Sequence, residues 1–414
     1  SPHCTSLRPA KLLATAPTTS IKNPSTHLPG QALRDGDVPK PAAECRRAKS
    51  KSGFGGGEDM VRNKDPRIIA SMTQPSSTND QDRRRWMSTL LGGWAAGFPL
   101  VARAMPTTIR LSHVVARDTP KGLALERFRS LVELRSDQRI RVQIYPQGEL
   151  YGDHDEMQAL QLGAIDMIAP SLSKFGPIGF PEFELFDLPF LFETVADVRR
   201  IARGPLGRQL LDRLGRQRLL GLGYFDNGFK HMSANRPLLE PADFVGQRMR
   251  VQASSVVAHQ MRILGARPVT LPFSETRLAL KTGVVDGTEN PLSNFWTQSM
   301  QEVQSDLSLT QHGYLGYAVV SHQRFWAGLP AQDQRLLQEA LTEALNYGNS
   351  IADDQNSKAL TALRTSPLRI HQPSPAQRAR LQAKVQPVRA DLARRIGQIW
   401  VDTALAALRT KNSG

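Results

Sequence analysis

Between Tyr224 and Trp296 the chain gathers donors of hydrogen bonds and positive charge. Lys230 follows a Gly-Phe turn (NGFK), Arg250 lies in GQRMRV, and Asn290 lies in DGTENP, just past a helix and a buried strand. A guanidinium offers two parallel charge-assisted hydrogen bonds to one carboxylate, which fixes orientation as well as affinity. One arginine meets one carboxylate; a second acidic end needs further donors, and Lys121, Lys174 and Lys230 can supply them. No H-E-x-x-H, G-x-S-x-G, Walker loop or dinucleotide glycine pattern accompanies these residues, so no enzymatic role and no cofactor is expected. Cys4 and Cys45 both fall in the polar N-terminal region, which leaves the body without a thiol. Asp153, Asp155 and Glu156 read as first-turn acids that complement a helix dipole and cap the helix, rather than as a metal site.

The elements that must position these side chains are legible from periodicity. Ile109, Leu111 and His113 alternate as a strand. A loop with Thr119-Pro120-Lys121-Gly122 follows, then an amphipathic helix through Leu125, Phe128 and Val132, then a strand through Ile140, Val142 and Ile144. Strand, helix, strand is a βαβ unit and implies a parallel sheet. A helix ending at Gly163 leads to a buried strand, Ile165 to Ala169, and PSLSK (Pro170–Lys174) leaves its carboxyl end, where open α/β sheets place ligands. ALQLGAID (Ala159–Asp166) and ALKTGVVD (Ala279–Asp286) share A-L-x-x-G-x-x-D, and each leads to a polar loop ending in Phe, PSLSKF and NPLSNF. The repeat predicts two similar α/β lobes aiming matching elements at one cleft. FELFDLPFLF is expected at the lobe junction. A helix is expected from Val195 to Leu214, a strand from Leu219 to Tyr224, and a strand from Gly313 to Val320 that returns to the first lobe. From Ala331 onward helices dominate, the last carrying Leu392, Ile396, Ile399, Trp400, Thr403 and Leu408. Tyr314 and Tyr317 read as core; His113 reads equally as pocket lining or core.

The chain has 414 residues, 40% of them hydrophobic, enough to bury a large core. Its net charge is +15, but about half of that excess lies before residue 105, so the overall charge is weak support for nucleic-acid binding and none is expected. Residues 1–71 read as a disordered leader; Met60 and Met72 are alternative starts, and FGGGED before Met60 is what a translated purine-rich ribosome-binding stretch would give. In residues 72–104, Arg83-Arg84-Arg85-Trp86-Met87, an apolar run to Val101 and Ala102-Arg103-Ala104 read as an export signal of twin-arginine type, with cleavage after Ala104 and an uncleaved anchor as the alternative.

The segments NGFKHMSANRP (Asn227–Pro237), GQRMR (Gly246–Arg250) and DGTENP (Asp286–Pro291) resemble the solute-binding proteins of tripartite ATP-independent periplasmic (TRAP) transporters, the DctP family, closest to the branch that binds C4-dicarboxylates. LSHVVARDTPKG, LYGDHDEMQALQLG, APSLSKFGP and HGYLGYAVV match as well, so that the resemblance runs from Ile109 to about Ile396. It implies an α/β, periplasmic-binding-protein-like fold: two lobes around a ligand cleft, joined by crossing segments and a long helix. Lobe I is expected at 105–226 plus 316–355, lobe II at 227–315 plus 356–414. The resemblance also places the site. Arg250 takes the position of the carboxylate-clamping arginine, Asn290 that of the asparagine holding the same carboxylate, and Phe273 that of the ring beside the ligand. Lys230 stands where many relatives have Arg. Ser171 and Lys174 occupy positions at which other branches carry an acid for larger sugar acids, and Lys121 belongs to the TPKG pattern. The implied protein is a periplasmic monomer that captures succinate, malate or fumarate and delivers it to the membrane permease subunits of a TRAP transporter. The alternatives are a sugar acid or α-keto acid as ligand, or a sensing role beside a receptor.

Overall fold

The computed structural model describes residues 106–409; the leader, the export signal and both cysteines lie outside them. The first βαβ unit forms as its periodicity dictates: β1 (Thr107–Ser112), α1 (Pro120–Arg135) and β2 (Ile140–Tyr145), with α2 (Glu156–Gln161) and β3 (Met167–Ile168) after it. The TPKG segment is the start of α1 rather than a loop. Thr119 caps the helix, its Oγ1 accepting from Gly122 N at 3.2 Å, and Pro120 opens the first turn. The helix expected over Val195–Leu214 is two, α3 (Val195–Arg203) and α4 (Pro205–Arg213), because Gly204-Pro205 cannot continue the helical hydrogen bonds.

The second half repeats the first. After β4 (Leu219–Ala234) come β5 (Arg248–Val251), α5 (Ser255–Ile263), β6 (Arg267–Thr270), α6 (Thr276–Lys281), β7 (Gly287–Asn290) and α7 (Leu292–Thr297). Then follow β8 (Asp306–His322), α8 (Gln323–Ala327), α9 (Ala331–Arg364), β9 (Arg369–His371), α10 (Pro375–Val385), α11 (Pro387–Ile396) and α12 (Gln398–Arg409). The single final helix read from the sequence is therefore α11 and α12. Gly397, at φ 95°, turns the chain between them, and Ile399 is left exposed while Leu392, Trp400 and Val401 are buried.

The strands form one sheet in the order β2-β1-β3-β8-β4-β7-β5-β6, with β9 beside β8. β1 pairs in parallel with β2 and β3, and β5 in parallel with β6 and β7. Between these two parallel blocks runs the antiparallel ribbon β4/β8, whose strands cross from one half to the other. The Gly-Phe turn read before Lys230 does not exist; Gly228 and Phe229 lie within β4. Alternation along the strands sends Met167 and Val319 into a core shared with α1 and α9, and Ile168 and Val320 into a core shared with α3, α5 and α11. Each core runs across both halves of the sheet. At the bulge between Asp226 and Gly228, α9 ties the ribbon down: Asp226 N donates to Asn349 Oδ1 (2.7 Å) and Asn356 Nδ2 donates to Asn227 O (2.7 Å).

The two A-L-x-x-G-x-x-D copies have one structural job. Asp166 Oδ2 accepts from Arg110 N at 2.8 Å and from Nε at 3.1 Å; Asp286 Oδ2 accepts from Arg248 N at 2.7 Å and from Nε at 3.0 Å. Each aspartate thus fixes the strand after its helix beside the strand that opens its half.

Candidate functional site

The carboxyl ends of β1, β3, β5 and β7 point at one cleft, the place an open α/β sheet offers a ligand. Its empty volume is about 410 Å³, part of it open to solvent. Six of the seven residues expected at the site line it: Ser171, Lys174, Lys230, Arg250, Phe273 and Asn290. The seventh, Lys121, lies behind Tyr317, with Nζ 3.7 Å from the centroid of that ring.

Arg250 is the centre. It sits on β5 at 4% exposure, its Nε and Nη2 donating to Leu271 O at 3.0 and 2.9 Å, and its guanidinium 5.7 Å from the Phe273 ring centroid. Among the described residues it forms no ion pair, and burial pulls its pKa down although the guanidinium remains charged. A buried, oriented cation with no counter-ion is costly until an anion arrives. Asn290 closes β7 two residues from Thr288, whose Oγ1 accepts from its Nδ2 at 3.2 Å.

The two lysines of the cleft differ from Arg250 because each is already shared by two acids. Lys230 Nζ lies 3.1 Å from Glu289 Oε2 and 3.5 Å from Asp187 Oδ1. Lys174 Nζ pairs with both Asp153 and Glu156. Burial opposes the charge on both amines, but the paired carboxylates prevail and both pKa values are raised. Glu156 is the acid in the first turn of α2, as expected, but its carboxylate pairs with Lys174, and Asp153 lies before the helix. Asp155 is the N-cap residue of α2, without a side-chain cap hydrogen bond. Asp153, held below the usual carboxylate range by Lys174 against the pull of burial, lines the cleft and accepts from Phe273 N across it. Glu156 is buried out of contact with the cleft, and its pKa is raised by that burial.

The periodicity reading missed Gln252, Asn294 and Tyr317, which line the same space. Ser171 Oγ donates to Gln252 Oε1 at 3.0 Å, joining the two halves. Tyr317 Oη accepts from Asn227 Nδ2 (2.8 Å) and Asn294 Nδ2 (3.2 Å). Asn294 had a signal: it stands in NPLSNF where Lys174 stands in PSLSKF. Tyr314 is core, donating to Asp226 Oδ1 at 2.7 Å. His113 is fully buried outside the lining, its ring nitrogens without hydrogen-bond partners among the described residues, and burial holds its pKa well below the usual imidazole value.

Two α/β halves hung on crossing strands, with a cleft at their strand ends, define the class of two-lobed solute-binding proteins. The family model for bacterial extracellular solute-binding protein, family 7 (DctP), matches residues 111–395, and the chain belongs to that family. It is similar to the C4-dicarboxylate-binding periplasmic protein DctP of Rhodobacter capsulatus, 44% identical over 327 residues that cover 78% of this chain and 98% of that protein. Among solved structures it resembles a TRAP periplasmic solute-binding protein from Shewanella oneidensis with bound succinate, with a TM-score of 0.72, 38% identity, and 73% of this chain and 99% of that one covered. A further likeness is to a TRAP periplasmic solute-binding protein from Pseudomonas aeruginosa with bound L-malate, with a TM-score of 0.67, 35% identity, and 69% and 100% covered. The protein is a periplasmic solute-binding protein of TRAP type. Among the described residues no helix is long and apolar enough to cross a membrane.

Proposed function

We propose that the protein captures a C4-dicarboxylate such as succinate, malate or fumarate between its two lobes and delivers it to the permease subunits of a TRAP transporter, as a monomer and without catalysis. The observation that carries this reading is Arg250, a buried guanidinium that forms no ion pair among the described residues, in a cleft built from both halves. In this reading Arg250 and Asn290 hold one carboxylate, Phe273 packs beside the carbon chain, and Ser171, Lys174 and Lys230 face the other end, with Lys121 behind it. The lobes are 105–226 plus 316–355 and 227–315 plus 356–414, hinged at the bulge between Asp226 and Gly228. Binding shifts an open–closed equilibrium because the ligand touches both lobes only when they are closed. The bound forms of the relatives from Shewanella oneidensis and Pseudomonas aeruginosa support the ligand class. Isothermal titration with succinate, malate and fumarate tests it, each expected to bind with a 1:1 stoichiometry. No heat from any of the three, with binding of a sugar acid or an α-keto acid, overturns the ligand class.

A further inference from the structure

The charges around the cleft do not balance a dianion. Lys230 is shared by Glu289 and Asp187, and Lys174 by Asp153 and Glu156, so each lysine already has its counter-charge. Arg250 forms no ion pair among the described residues, although Asp153 and Glu289 act on it at longer range, and it answers one carboxylate. One further amine is within electrostatic reach. Lys121 is 1% exposed; its Nζ donates to Ala169 O at 2.7 Å, rests on the face of Tyr317, and has no ion-pair partner among the described residues. Tyr317 itself lines the cleft.

We propose that the second negative charge of the ligand is balanced by a proton taken from the buffer onto the Lys121 amine, so that dicarboxylate binding and protonation of this residue are one event. Three features of its surroundings make Lys121 the acceptor. Burial disfavours its ammonium form in the absence of a ligand, and its pKa falls to about 7, so the amine is half neutral near neutral pH. Around it, Glu156 of α2 and Asp153 before α2 favour the charge, Lys174 disfavours it, and His113 after β1 is held neutral by burial. A carboxylate in the cleft, across Tyr317 from the amine, adds attraction that a low-dielectric interior screens less than water does. Moreover, the cation over the aromatic face needs no movement of the helix that carries it. The reaction is balanced: the buffer acid loses a proton, Lys121 gains it, and the dianion enters with the net charge of the cleft changed by one rather than two.

The sign follows from linkage. A group whose pKa rises on binding favours the complex below its free pKa, and the advantage is lost as pH climbs past it. Proton uptake should therefore be near zero at pH 6, about half a proton at pH 7 and close to one at pH 8. Over the same range the affinity should begin to fall, by at most about tenfold per pH unit between the free pKa and the raised pKa of the complex.

The inference rests on the dicarboxylate reading, and the test separates the two. Fumarate, whose carboxyls both stay ionised from pH 6 to 8, is titrated into the protein calorimetrically in buffers of different ionisation enthalpy. The slope of observed heat against that enthalpy gives the number of protons taken up. The expected result is the rising uptake just described, abolished in Lys121→Met, with the affinity of that variant flat in pH and reduced most at pH 6. A zero slope at pH 8 with fumarate heat intact overturns the inference alone, as does a slope that survives in Lys121→Met. No heat with fumarate or succinate overturns the ligand class and this inference with it. Should Lys121→Met fail to fold, Lys121→Arg, which cannot lose its proton, should bind with no uptake at any of these pH values; uptake retained there overturns the assignment.

Discussion

If Arg250 clamps the ligand as proposed, its burial without a direct ion pair among the described residues sets two opposite effects of removing it. Arg250→Ala should weaken dicarboxylate binding by roughly 2–5 kcal/mol, as truncation of one partner of a buried charge pair does, read as the calorimetric Kd. In the ligand-free protein the same change removes an unpaired buried charge, so its melting temperature should hold or rise. A second residue-scale effect concerns the buried histidines. His231 is driven by burial to about 3 and His312 is lowered too, chiefly by burial, despite its contact with Glu289. Both are neutral in the native state, whereas the unfolded chain protonates them near pH 6.5. Stability is therefore full above pH 6.5 and lost as pH falls below it, for His231 by about 1.4 kcal/mol per pH unit down to about pH 3, with His312 adding in the same direction. Melting curves at pH 7.5 and 5 should show that loss, and His231→Gln should reduce it. Arg250 and Asn290 were legible because their motifs and the strand ends they close are local in sequence. The pairing of Lys174 and Lys230 was not, since Glu156 is 18 residues away and Glu289 is 59. Nothing in Asp153 or Glu156 told a capping acid from one turned toward a lysine on another element.

At the scale of elements, the bulge in β4 is the place where regular pairing fails and α9 takes over the hydrogen bonding. Asn349→Ala leaves the buried Asp226 N–H without its acceptor and should cost about 1–3 kcal/mol, measured by urea denaturation. A substitution of similar size on the exposed face of α9, such as Ser350→Ala, should stay within about 0.5 kcal/mol. The βαβ unit and the repeat followed from hydrophobic period and turn residues, whereas the long helix was implied by the family resemblance. Breaks inside helical patterns were harder to see. Gly204-Pro205 and Gly397 each interrupt a run whose apolar spacing continues across them, because the two short helices on either side face the same core.

For the whole molecule, a ligand that grips both halves should stabilise the folded state by mass action: succinate at 100 times its Kd contributes about 2.7 kcal/mol. That gain should appear as a higher melting temperature, and it should shrink to about 1 kcal/mol or less in Arg250→Ala at the same succinate concentration. A thermal shift of equal size in the variant would separate stabilisation from the site. The two-lobed plan was visible in the doubled A-L-x-x-G-x-x-D. The sheet order was not, since nothing local says that β8 pairs with β3 on one side and β4 on the other.

That order has a consequence for how the chain comes off the ribosome. β3 and β4 are both synthesised well before β8, yet β8 is inserted between them, so neither can complete its ladder until the segment Asp306–His322 has emerged. Until then both present unpaired strand edges, the usual template for aggregation, and the contacts that close the sheet are distant in sequence and slow to form. The nascent chain must therefore pass through a stage in which most of its residues exist but its central seam is open.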